Sequence, residues 1–118
     1  MQERRKQLRK HPVDYLNVFD GKTHQLSGSL MDLSTEGMML ASGTPFLLNT
    51  TYRFKMALPD ASLGKRHVTV DAESLWCCLD NDSDFYDYYT TGFKFHNISP
   101  RNAEVIDRVI HSYAFDPG

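Results

Sequence analysis

The sequence predicts a mainly β fold, an antiparallel barrel closed by one C-terminal α-helix. Three observations predict it. Short runs of two-residue alternation recur along the 118 residues, turn signals separate them, and only the segment from Ser99 onward changes to a helical period. The length matches one domain, and no internal repeat or second domain is visible.

Residues 1–12 hold few large apolar side chains and end at Pro12, so they read as a flexible basic arm, with residues 13–118 as the barrel and its helix. Val13 to Phe19 suit a first strand, Asp20-Gly21 signals a hairpin, and Lys22 to Leu33 return. Ser34-Thr35-Glu36-Gly37 predicts the next turn, with Gly37 taking the positive φ that a side chain resists. Met38 to Ala41 follow as a short strand, and Ser42-Gly43-Thr44-Pro45 interrupts the pattern. Tyr52, Phe54, Met56 and Leu58 then alternate with Thr51, Arg53, Lys55 and Ala57, which means one buried and one wet face. After a turn over Pro59 to Gly64, residues 66–79 form the longest strand candidate, with Val68, Val70, Ala72, Trp76 and Cys78 on one face. A polar loop from Asp80 to Asp87 leads to a last strand in which Tyr89, Thr91, Phe93 and Phe95 share a face. Ser99 is placed as N-cap and Pro100 as the first helical residue, and Ala103, Ile106, Val109, Ile110 and Tyr113 make one apolar stripe.

Charge is unevenly spread. The first ten residues set Arg4, Arg5, Lys6, Arg9 and Lys10 against Glu3 alone, a net +4, which leaves −6 for the rest of a chain at −2. Such an arm suits an anion, whereas an acidic body lacks the broad basic surface that neutralising many phosphates needs. No run of ~18 apolar residues exists, and charges stand where a secretion signal carries its apolar core, so a cytoplasmic protein without a membrane span is expected. Cys77 and Cys78 are adjacent, point to opposite faces of a strand and do not bridge.

Two motifs stand in order along this frame. Arg5-Lys6-Gln7-Leu8-Arg9 is an RxxxR pattern, and Asp32-Leu33-Ser34-Thr35-Glu36-Gly37 is a DxSxxG pattern about two strands later. Each alone is bland; together, with the Asp20-Gly21 hairpin between them and Thr91-Gly92-Phe93-Lys94-Phe95 near the end, they carry weight. From Arg4 to the helix the chain resembles the PilZ domain, the bacterial receptor module for the second messenger cyclic di-GMP. The resemblance implies a six-stranded antiparallel β-barrel with a C-terminal helix, and an arm that wraps over a ligand lying on the barrel. It also implies the site. Arg5 and Arg9, with Arg4 as an addition, would grip guanine edges and phosphates, and Asp32, Ser34 and Gly37 would form the floor. The ligand would be cyclic di-GMP, with no cofactor and no metal.

The chemistry agrees with that implication. Guanine offers O6 and N7 as adjacent acceptors, which an arginine fork meets together for about 1–3 kcal/mol of discrimination, while lysine cannot match the geometry. The Asp32 carboxylate can accept from the guanine N1–H and N2–H₂ edge, and Ser34 can donate to a phosphate or accept from the base.

Other constellations are weaker. Asp80, Asp82 and Asp84 imitate the start of a calcium loop, but Phe85 and Thr91 stand where that loop needs Gly and Glu. His11, His24, His67, His96 and His111 lack paired ligand spacing. Trp76 and the tyrosines around residues 86–89 could make a base-stacking platform, yet strand aromatics are mostly core, which leaves Tyr86 and Tyr88 as those expected outside. No nucleophile and base stand in a known motif, so the chain is expected not to be an enzyme.

These readings describe a binding module, monomer or homodimer, that relays cyclic di-GMP to an unidentified downstream protein by ordering of its arm. One rival is a protein-interaction adaptor that keeps the barrel and works without nucleotide. Another is a single-strand nucleic-acid binder using the arm and the aromatics.

Overall fold

The computed structural model describes residues 16–58, 67–80 and 87–113. Six strands are present: β1 (Asn17–Asp20), β2 (Leu26–Leu33), β3 (Gly37–Ser42), β4 (Thr51–Ala57), β5 (His67–Asp80) and β6 (Tyr88–His96), followed by helix α1 (Pro100–Tyr113). As the sequence predicts, they close into an antiparallel barrel; its strand order is β1-β2-β3-β6-β5-β4. Closure is made by β1 lying on β4, with Val18 opposite Met56. Among the described residues no helix is long and apolar enough to cross a membrane.

The inside is filled by the alternating residues. Val18, Leu30, Leu40, Phe54, Met56 and Val68 are almost wholly buried, and Phe93 and Phe95 join them from β6. Phe46, on the β3–β4 connection, packs edge-on against Phe93 at 5.1 Å and Phe54 at 5.9 Å between ring centres. Such pairs add about 0.5–1.5 kcal/mol each beyond their buried area. The helix starts where expected: the Ser99 hydroxyl accepts from Asn102 N at 3.1 Å, and its carbonyl from Ala103 N at 2.9 Å. Its buried stripe is Val105, Ile106 and Val109, so Val105 replaces Ala103, which is only half-buried.

Several local expectations are corrected. β2 begins at Leu26, not Lys22, because the Asp20 carboxylate accepts from the amides of Lys22 (2.7 Å) and Thr23 (2.8 Å) and lengthens the turn. Those bonds hold the Asp20 carboxyl below its usual range, the Thr23 amide first and the Lys22 amide next. The left-handed residue of this turn is His24 (φ 64°). Asp80 belongs to β5 rather than the loop and is buried, and Tyr88 is half-buried rather than outside. The arm 1–12, the start of the first strand at residues 13–15, the turn over 59–64, and Asp82, Asp84 and Tyr86 lie outside the described residues.

Candidate functional site

The DxSxxG segment forms the hairpin between β2 and β3. Ser34 N donates to Gly37 O at 2.9 Å and closes the turn. The Ser34 hydroxyl oxygen accepts from the amides of Glu36 and Gly37, both at 3.2 Å, which occupies its two lone pairs. Its proton faces Gly37 O at 3.4 Å, longer than the about 2.5–3.0 Å of a good O–H···O bond. Ser34 thus keeps a donor to offer and no free acceptor. Phe95 N donates to Glu36 O at 2.8 Å, which stitches the turn to β6.

Gly37 is needed here for a reason other than the one expected. It sits in extended backbone at the start of β3 with no positive φ, and a Cβ there would overlap the carbonyl oxygen of Phe93. Close approach of two strands, not a left-handed turn, demands glycine.

Asp32 reaches the outside through a β-bulge. In an unbroken strand it would point the same way as Leu30, into the core. The register shifts between Leu30 and Asp32, Met31 is the extra residue, and Leu33 turns inward while Asp32 is exposed. One carboxylate oxygen accepts from Leu33 N at 2.9 Å.

β5 repeats the device and overturns the expectation for Trp76 and Cys78. Val68, Val70, Ala72 and Ser74 face inward, but the register shifts between Ser74 and Trp76. Trp76 is therefore 41% exposed and Cys78 is also outside, where unbroken alternation places both with the core. The shift is anchored from the β3–β4 loop, since Asn49 N donates to Ser74 O at 2.8 Å and Ser74 N to Thr50 O at 3.0 Å.

The barrel register then aligns these residues. Asp32 lies opposite Met39, Met39 opposite Gly92, and Gly92 opposite Trp76, so one outward row crosses β2, β3, β6 and β5. Gly92 fits because the Trp76 indole lies against it, where a Cβ would overlap the ring. Above the row is an open groove of about 800 Å³ lined by Asp32, Ser34, Gly37, Trp76, Gly92 and Lys94, among others. That volume falls within the about 300–1,000 Å³ of small-molecule sites.

Charge in the groove is mixed. Asp32 and Glu36 supply carboxylates, and Lys94 is the one cation among the described lining residues. Lys94 is exposed and lies between Gly37 and Glu73 in the register. Glu73 is engaged by His96 Nε2 at 2.7 Å. One row further, Arg53 holds Asp71 with two bonds of 2.8 and 3.2 Å, which lowers the Asp71 carboxyl below its ordinary range and raises the Arg53 guanidinium.

The structure thus brings Asp32, Ser34 and Gly37 together, while Arg4, Arg5 and Arg9 lie outside the described residues. Sequence reasoning assigned no role to Lys94 or Met39 and placed Trp76 with the core. The signal for Trp76 was the Gly92 opposite it, a residue whose missing side chain leaves room for a ring.

The family model of the PilZ domain matches residues 3–112. Among solved structures, the chain is similar to apo MrkH of K. pneumonia, with a TM-score of 0.69 and 16% identity over 88% of this chain and 48% of that one. It is similar to the PilZ domain of YcgR from Escherichia coli with c-di-GMP, at 0.68 and 17%, over 88% and 86%. A third similarity is to PlzA of Borreliella burgdorferi in complex with c-di-GMP, at 0.55 and 11%, over 93% and 48%. The chain spans about half the length of MrkH and of PlzA. At these identities the likeness is one of fold. No curated protein matches the chain.

Proposed function

The chain belongs to the PilZ domain family, and from that premise we propose that it is a receptor binding cyclic di-GMP on the outer face of the barrel. The observation that carries this reading is the row Asp32–Met39–Gly92–Trp76 with the Ser34 turn beside it. It offers an acceptor for a guanine N–H edge, a hydroxyl donor for a phosphate, and an apolar ring for stacking, within one groove. Neighbours of the same fold include proteins solved with this dinucleotide, which supports the choice of ligand.

Each residue then has a role. Asp32 accepts from guanine N1–H and N2–H₂, and Ser34 donates to phosphate. Gly37 keeps β3 against β6 so that the turn stays flat beside the ligand. Trp76 stacks on a base, worth about 1–3 kcal/mol. Lys94 offsets a phosphate charge that Asp32 and Glu36 would otherwise repel. Arg5 and Arg9, with Arg4, close from the arm as forks on guanine edges and phosphates. Ordering of residues 1–12 on binding would change the surface a downstream protein meets, which makes this a binding module and not an enzyme.

Titration calorimetry of the purified chain with cyclic di-GMP tests the reading. A saturable isotherm, weakened by about 1–3 kcal/mol in Arg9→Ala and weakened also by Asp32→Ala, is the expected result. Absence of heat with any nucleotide would replace it by the adaptor, and preference for a polynucleotide by the single-strand binder. Amide exchange of residues 2–12 that is equal with and without saturating ligand would remove arm ordering as the switch.

A further inference from the structure

Lys94 stands on β6 between Phe93 and Phe95, which turn inward, so its own side chain points out beside the groove. Gly37 of β3 and Glu73 of β5 lie directly opposite it. Gly37 has no side chain to offer, whereas Glu73, flanked by buried Ala72 and Ser74, shares the outer face. Opposed side chains on one face of a sheet have Cβ atoms about 4.5–5.5 Å apart, so Glu73 is the natural ion-pair partner of Lys94. That pair is not made. Glu73 reaches along the sheet to His96 instead, with 2.7 Å between Oε1 and Nε2, and Lys94 enters no ion pair among the described residues.

The groups around His96 account for the choice. Asp71, directly opposite His96, is held by two bonds from Arg53 of β4, which leaves Glu73 as the carboxylate for the imidazole. Lys55 of β4 is one row further, opposite Thr69. Glu36, in the turn bonded to Phe95 N, is exposed, as are Arg101 and Glu104 of α1, the helix packed against β5. The Arg53 and Asp71 charges cancel, and His96, Glu73 and Lys94 remain. With the imidazole protonated, two cations and one carboxylate leave a positive charge, which Lys94 presents to the groove. With it neutral, Glu73 and Lys94 cancel. A neutral imidazole can still donate Nε2–H to Glu73, so the bond outlives the proton, but the carboxylate then keeps its full charge across from the ammonium.

We propose that His96, acting through Glu73, sets whether Lys94 is available to a phosphate in the groove, so that His96 and Glu73 are positioning residues for the anionic part of the ligand. The proposal rests on the reading of the groove as a cyclic di-GMP site. Imidazole changes charge between about pH 5 and 8, a range in which guanine and a phosphodiester keep theirs. Affinity is therefore higher on the acid side of that range, where Glu73 is neutralised by His96, and lower on the alkaline side, where it draws on Lys94.

Titration with cyclic di-GMP at about pH 5.5 and about pH 8, at one ionic strength, tests this. The parent chain should bind about two- to fivefold more weakly at the higher pH, the size of one exposed opposite-charge pair on a sheet. His96→Gln, which can bond Glu73 without carrying charge, should bind at both pH values as the parent does at the higher one. Glu73→Gln should bind at both as the parent does at the lower one. The two variants thus move in opposite directions, whereas a pair that only braced β5 against β6 would lose affinity from either side. In a Lys94→Ala background both changes should be silent. A shared loss, equal affinities of the two variants, or an undiminished pH response in His96→Gln would overturn the proposal. A second readout needs no ligand: by carbon NMR of the free chain, the Lys94 Cε resonance should shift as His96 titrates, and should not in Glu73→Gln. If cyclic di-GMP fails to bind while Lys94 follows His96, the ligand reading falls and the coupling stands. A Lys94 resonance indifferent to His96 removes the coupling itself.

Discussion

The two β-bulges use one device and leave different surfaces behind. In β2 the extra residue, Met31, is 7% exposed and sealed by its neighbours, so the bulge turns one carboxylate outward and leaves little apolar surface beside it. In β5 the extra residue, Leu75, is 48% exposed, the indole after it 41%, and Leu79 52%. Folding alone explains the first, because Met31 is packed. It does not explain the second, since burying those side chains would have been favourable by about 25 cal/mol per Å². An exposed apolar bulge beside a groove marks a surface kept for a partner or a ligand.

The sharpest break of this comparison is truncation at both bulges. Met31→Ala should cost about 2–5 kcal/mol of stability, the range for buried methionine, whereas Leu75→Ala should fall within about 0.5 kcal/mol of the parent. Urea denaturation of the two variants checks both, and equal losses would dissolve the distinction.

One glycine near each bulge gives the next contrast. Gly37→Ala forces a Cβ onto the Phe93 carbonyl, a backbone atom, and should destabilise by about 1–3 kcal/mol. The nearest atoms that Gly92→Ala meets are those of the Trp76 ring, a side chain that can swing away. Its midpoint should move less, while indole fluorescence changes because the ring has left its seat.

Binding sharpens the comparison from the ligand side. Trp76→Ala should weaken cyclic di-GMP by about 1–3 kcal/mol with the fold intact, and Arg5→Ala or Arg9→Ala by a similar about 1–3 kcal/mol. Lys6→Ala should cost much less; a loss equal to that of Arg5 would mean that simple charge, not a bidentate fork, is at work. Lys94→Ala should flatten the dependence of log affinity on log salt by about one unit or less, the mark of one lost phosphate contact.

The smallest effect lies away from both bulges. Asp71 is held below its ordinary range by Arg53, so the unfolded chain binds the proton more readily. The contribution is present above the ordinary Asp value of about 3.9 and disappears as pH falls through the lowered folded value. Asp20, lowered by its turn amides, acts with the same sign. In urea titrations below about pH 4, Asp71→Asn should therefore depend less on pH than the parent.

The elements, and three of the residues that the groove gathers, were legible along the chain. Tyr52, Phe54 and Met56 alternate without interruption, and that strand was read correctly. Ser99-Pro100 marked the helix start because a cap is a local interaction. Asp32, Ser34 and Gly37 were named from a motif that resembles the family's, and they line one groove. Trp76 was misassigned because unbroken parity from Val68 carries it inward, and nothing within β5 announces the break at Leu75. The reason for Gly37 was likewise misread, because the atom it avoids belongs to Phe93, far away in sequence.

By itself the sequence determined the alternation, the turns, the cap and the family, since each depends on residues a few positions apart or on a motif's spacing. Only the tertiary structure decided the row from Asp32 to Trp76 and the absence, among the described residues, of a strand on the β4 side of β5 past Ser74. A bulge exists only relative to the strand it is paired with, and an edge only where a neighbouring strand ends. Both depend on the register of segments tens of residues apart, which closing the barrel sets and no local pattern encodes.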